Sequence, residues 1–86
     1  MKHATEKALD KLEDLLAEIR KYSEIKEKQR GIFYIKSTAF LHFHEDPAGL
    51  FGDIKFEDEF NRFPVNTQAE KKVFLSKIQE AIKSLN

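Results

Sequence analysis

A chain of 86 residues, 41% apolar and 12% aromatic, has the length of one domain and the material for one small core. That length excludes a Rossmann enzyme, a TIM barrel and a two-domain cleft, and eight Phe with two Tyr exclude a disordered chain. Fifteen basic residues balance fifteen acidic ones, and no block is basic enough for nonspecific nucleic-acid binding: the charge is +1 over residues 1–30, −3 over 31–66 and +2 over 67–86.

Residues 4–22 read as an amphipathic helix. Ala8, Leu9, Leu12, Leu15, Leu16, Ile19 and Tyr22 recur at three- and four-residue spacings, and so share a face. The pairs Lys7/Asp10, Lys11/Asp14 and Glu18/Lys21 lie three apart on the solvated side. Residues 23–30 leave two alternatives open, a continuation of the helix or a short edge strand, and Gly31 ends either.

From residue 32 the period changes to two. Ile32–Lys36 and Ala39–Glu45 read as strands joined at Ser37-Thr38. Asp46-Pro47-Ala48-Gly49 has the residues of a type I turn, and Leu50–Phe56 follows as a third strand. That turn predicts a register: Glu45 with Leu50, Phe43 with Gly52, Leu41 with Ile54 and Ala39 with Phe56 on the core face, and His44 with Phe51, His42 with Asp53 and Phe40 with Lys55 on the other. Glu57-Asp58-Glu59 is a polar turn, and Phe60–Val65 a fourth strand that Pro64 confines to an edge. Thr67 and Glu70 form a capping box opening the last helix, whose apolar face is Ala69, Val73, Phe74, Ile78, Ala81, Ile82 and Leu85. Two striped helices need a partner, and the Leu41/Phe43/Ile54/Phe56 face provides it. The expected fold is therefore a single α+β domain over residues 1–86, with N- and C-terminal helices packed on one face of a three- to five-stranded antiparallel meander sheet.

The segments Arg30-Gly31-Ile32-Phe33, Phe40-Leu41-His42-Phe43-His44 and Gly52-Asp53-Ile54 resemble the small bacterial luciferase-like domain of unknown function, as does the strand leading into a helix capped at Thr67 and Glu70. The resemblance spans residues 25–82, although this chain is shorter between its third strand and last helix than the family pattern. It implies the same α+β fold and transfers no activity.

The sheet face turned away from the helices carries the distinctive chemistry. Phe33, Phe40, His42, His44, Phe51, Asp53 and Lys55 are expected there, with Ile35 beside Phe33 if the Ser37-Thr38 turn closes Lys36 on Ala39. Such a side normally reads polar, so its Phe content points to a contact with a protein partner or a second copy of the chain, with the histidines lending pH sensitivity. The alternative is a zinc site, in a binding protein or small enzyme. His42 and His44 project from one face roughly 6–7 Å apart along the strand, Asp53 lies roughly 5 Å across from His42, and two imidazoles with a carboxylate are zinc ligands. His42 with Asp53 would also form an oriented general base. His3, near the terminus, is assigned no role. No phosphate loop or G-x-S-x-G setting is present, and no catalytic residue is assigned. Phe33, Phe40 and Phe51 faintly imitate a base-stacking platform, which the local charge of −3 opposes, so no nucleic-acid partner is expected.

There is no Cys, which excludes disulfides, thiol catalysis and Cys-based zinc sites and fits a reducing compartment. The first residues lack the apolar core of a signal peptide, and no apolar run approaches the about 20 residues of a membrane span. The expectation is a cytoplasmic protein with no membrane partner.

Overall fold

The computed structural model of the chain describes residues 2–85. A short strand β1 (Lys2–His3) precedes α1 (Glu6–Lys11) and α2 (Glu13–Ile19). Five strands follow, β2 (Lys26–Gln29), β3 (Ile32–Ile35), β4 (Thr38–Asp46), β5 (Gly49–Phe56) and β6 (Glu59–Pro64), and α3 (Gln68–Ser84) closes the fold. Strands β2 to β6 form an antiparallel meander in chain order, and β1 pairs with β4. The helices cover one face, which is the α+β arrangement expected.

The N-terminal stripe holds its place without forming one helix. Thr5 caps α1, its hydroxyl accepting from the Ala8 N–H at 3.3 Å, and the chain breaks at Leu12 before α2 begins. Ala8, Leu9, Leu12, Leu15, Leu16 and Ile19 are buried across the break. Of the three predicted pairs Glu18–Lys21 forms, at 2.9 Å, while Asp10 is engaged by Arg30 and Asp14 by Lys71. Arg30, in the β2–β3 turn, also reaches Glu6 and Glu13, and Arg20 joins Glu13 to Glu27. This network ties both short helices to the sheet edge and holds the Glu13 carboxyl below its ordinary pKa, chiefly through Arg30. Within residues 23–30 the edge-strand alternative forms, as Lys26–Gln29, with Ile25 buried in front of it.

The β4–β5 register is the one predicted, from Leu41 opposite Ile54 to Glu45 opposite Leu50. Asp46 pairs with Gly49 across the tight turn, and the Asp46 carboxylate accepts from the Ala48 N–H at 2.8 Å. The capping box at Thr67 and Glu70 is also formed, with both N–H···O distances at 3.1 Å. Phe74, Ile78, Ala81 and Ile82 are buried along α3, while Val73 and Leu85 are exposed. Phe74 is seated over Gly52, where a Cβ would lie 2.5 Å from its ring.

The β3–β4 hairpin differs from expectation, and the difference changes the open face. Its loop is Lys36-Ser37, one residue earlier than expected, with both residues at positive φ (48° and 69°) and Ile35 paired with Thr38. This is the primed-turn geometry that hairpin twist favours, built without Asn or Gly. Tyr34 pairs with Ala39 but Phe33 pairs with Leu41, so Phe40 is the extra residue of a β-bulge. Phe33 thereby shares the face of Leu41, and both Phe33 and Phe40, expected on the open face, are buried in the core at 1% and 3% exposure. Ile35 is partly buried against the same core.

Candidate metal centre

With the bulge drawing Phe40 inward, the open face consists of rows read across the strands. His3, His44, Phe51 and Pro64 form one row, His42, Asp53 and Arg62 the next, and Lys55 and Phe60 the third. His42 and His44 sit where the sequence places them, Asp53 lies across from His42, and Phe51 and Lys55 are half-buried on the same side.

The three polar side chains converge more closely than strand spacing alone requires. His42 Nδ1 and His44 Nε2 are 2.9 Å apart, and Asp53 Oδ2 lies 3.3 Å from His44 Nε2 and 3.8 Å from His42 Nδ1. Asp53 is 4% exposed, and the histidine side chains are 18% and 13% exposed. Buried carboxylates are costly unless paired, and Arg62 supplies the partner. Its Nε donates to Oδ1 at 2.8 Å and its Nη2 to Oδ2 at 2.9 Å. This fork uses one lone-pair direction on each oxygen and leaves a second available. Burial pushes the Asp53 pKa up, but the Arg62 bonds and the adjacent imidazoles outweigh it, and the carboxyl stays below its ordinary value. The His42 pKa is lowered, first by burial and then by His44, against the opposing pull of Asp53. At neutral pH the His42 ring is thus uncharged, and its Nδ1 and the His44 Nε2 share one hydrogen bond whose proton must shift to another ring nitrogen before both can ligate an ion. Phe60 covers one side of it, with ring centroids 4.6 Å apart.

These separations define a ligand triangle. A point equidistant from the three converging atoms lies about 2.0 Å from each, the circumradius of a triangle with sides of 2.9, 3.3 and 3.8 Å. Zinc–nitrogen and zinc–carboxylate bonds are about 2.0–2.2 Å. The donor set fits such an ion, with the bidentate Arg62 contact orienting the carboxylate as outer partners of metal ligands do. The oriented-base arrangement of His42 with Asp53 is less favoured, since 3.8 Å exceeds a hydrogen bond and His44 is nearer to the carboxylate.

A third histidine beside this cluster was missed from sequence. His3, assigned no role, is carried by β1 directly opposite His44. Its ring stacks on that of His44 at 4.8 Å between centroids and lies 5.7 Å from His42. One nitrogen from each of the three histidines falls within 4.8 Å of the others. A two-residue strand has no periodicity, so no pattern in the sequence signals this pairing. Arg62 was likewise missed as the partner of Asp53, although it stands opposite it once the β5–β6 turn is set at Glu57-Asp58.

Phe33 and Phe40 leave the face less apolar than expected, and a stacking platform for bases is reduced to Phe51 and Phe60. A cleft of about 480 Å³ lies toward the end of the sheet, between Ile35 and Phe40 and the C-terminal end of α3 at Ile82 and Leu85, and it includes none of the histidines. No helix among the described residues is long and apolar enough to cross a membrane. Comparison with known proteins finds no match to a protein-family model, a curated protein or a solved structure.

Proposed function

We propose that this protein is a small metal-binding module that holds one divalent transition-metal ion, zinc by preference, on the open face of its sheet. His42 Nδ1, His44 Nε2 and Asp53 Oδ2 are the ligands. The observation that carries this reading is the ligand triangle, whose centre is at bonding distance from all three atoms. Imidazole and carboxylate together suit zinc, and the low pKa of His42 keeps its ring uncharged at neutral pH. A cytoplasmic setting is consistent with the Cys-free composition.

Titration of the metal-free protein with Zn²⁺, followed by calorimetry and amide chemical shifts, tests the reading. One equivalent is expected to bind and to shift the amides of His42, His44 and Asp53, and His42→Ala is expected to weaken binding by at least tenfold. Amides that stay put at millimolar Zn²⁺ would sink it.

A second reading, a face for a protein partner or for a second copy of the chain, is favoured by Phe60, which is 42% exposed beside half-buried Lys55 on the face that also carries half-buried Phe51. Light scattering behind a sizing column checks the self-association version. A species of twice the monomer mass that Phe60→Ser returns to monomer supports it, and a monomer at every concentration removes it.

A further inference from the structure

Among the described residues, β1 is held to the fold by a short set of contacts. It pairs with β4 at two positions, Lys2 with Glu45 and His3 with His44. Beyond these, the Ala4 N–H donates to the Phe43 carbonyl at 3.1 Å and the Thr5 N–H to the Glu45 carboxylate at 2.6 Å. From His3 to Lys7 every side chain is exposed except that of Ala4, which is half-buried, and the first buried residue is Ala8. Fixing a residue's backbone costs about as much free energy as one such hydrogen bond returns. A segment with this inventory frays readily.

Among the described residues, its distinctive contact is with the candidate metal centre. The exposed His3 imidazole lies against His44, and a nitrogen of each histidine is within 4.8 Å of the others. Tetrahedral zinc with ligands at about 2.0–2.1 Å spaces its donors about 3.3 Å apart. The exposed His3 side chain closes that difference by rotating about its own bonds, while side-chain shifts of about 0.5 Å bring the 2.9 and 3.8 Å separations of His42 to the same spacing. Resting on the metal-centre reading above, we infer that His3 is the fourth ligand and that metal loading clamps β1 onto β4. The ion would bridge a stable hairpin and a marginal strand, so binding and docking of the N-terminal segment are linked. Each strengthens the other by the same factor.

Amide hydrogen exchange at Ala4 and Thr5 reads the docking directly. It is measured on the full chain with and without one equivalent of Zn²⁺, with β5 amides as internal reference, in parallel with calorimetry. In the unsubstituted protein Zn²⁺ is expected to slow exchange at Ala4 and Thr5 by tenfold or more relative to β5. In His3→Ala the ion should still bind through His42, His44 and Asp53, weakened at least by the roughly tenfold that loss of an outer-shell partner costs, and should give no protection at Ala4 and Thr5. Zn²⁺ binding with unchanged exchange there, or binding as tight in His3→Ala as in the parent, overturns the clamp while leaving the three-ligand site standing. No binding by the parent overturns both.

Discussion

The two faces of the β4–β5 hairpin are made of alternate residues of the same strands, yet they solve opposite problems. On the helix side Leu41, Phe43 and Ile54 are almost fully buried, and Gly52 makes room for Phe74. Stability there comes from apolar area removed from water and from close packing. On the other side His42, His44 and Asp53 are largely covered but polar, and they are tolerated because each has a partner at hand. One face therefore holds the fold together and the other holds groups close together at some expense to it. Substitutions on one face should separate from substitutions on the other.

The largest effect is expected at Leu41. Leu41→Ala empties a site of zero exposure and should cost about 2–5 kcal/mol by urea unfolding, while the folded fraction keeps its Zn²⁺ affinity. His42→Ala should do the reverse, moving stability by no more than about 1 kcal/mol while weakening Zn²⁺ binding. Equal losses of stability from the two would erase the contrast between the faces. Gly52→Ala comes next. It sets a Cβ 2.5 Å from the Phe74 ring and 3.1 Å from that of Phe43, and should destabilise by about 1–3 kcal/mol through displacement of α3. Phe74→Leu in the same background should recover part of that loss, and a thermal melt decides it.

Acid should act on the open face before the helix face. The folded pKa of His42 lies below its ordinary value near 6.5, so the unfolded chain takes up that proton first, and metal-free stability falls as pH drops below about 6.5. Asp53 is also lowered, so its contribution is intact above about pH 4 and is lost as pH falls through the folded value. Asp14, lowered mainly by Lys71, adds to this second step. Urea midpoints measured from pH 7.5 to 3.5 should decline in two stages, and His42→Gln should flatten the upper one. A flat profile between pH 7.5 and 5 would contradict the burial of His42. The smallest change expected is a gain. Ser37→Gly relieves a positive φ of 69° and should stabilise by about 1 kcal/mol or less, raising the melting temperature without touching either face.

Much of the hairpin was legible because two independent signals agreed. The Asp-Pro-Ala-Gly turn set a register, and burial of Leu41 with Ile54 required the same one. The capping box was legible because it is local. Phe40 was misread because period-two reasoning assumes an unbroken strand, and a single inserted residue reverses which face the preceding positions meet. The turn that shifts this register is Lys36-Ser37, whose residues carry no strong preference for positive φ. The break at Leu12 lacks Gly or Pro to announce it. At the candidate site, His42, His44 and Asp53 were within reach of local reasoning since all three lie on one hairpin. His3 was not, because it arrives by a pairing across about 40 residues that only the assembled fold brings about.

The outermost strands carry a consequence for how this domain meets other molecules. At one margin β2 presents Lys26-Glu27-Lys28-Gln29, and at the other β6 ends in Pro64, which has no N–H to offer a neighbouring chain. Charge and proline at the borders are the devices by which β proteins resist being extended strand by strand into larger assemblies. Lateral growth of the sheet through these two edges is thereby disfavoured.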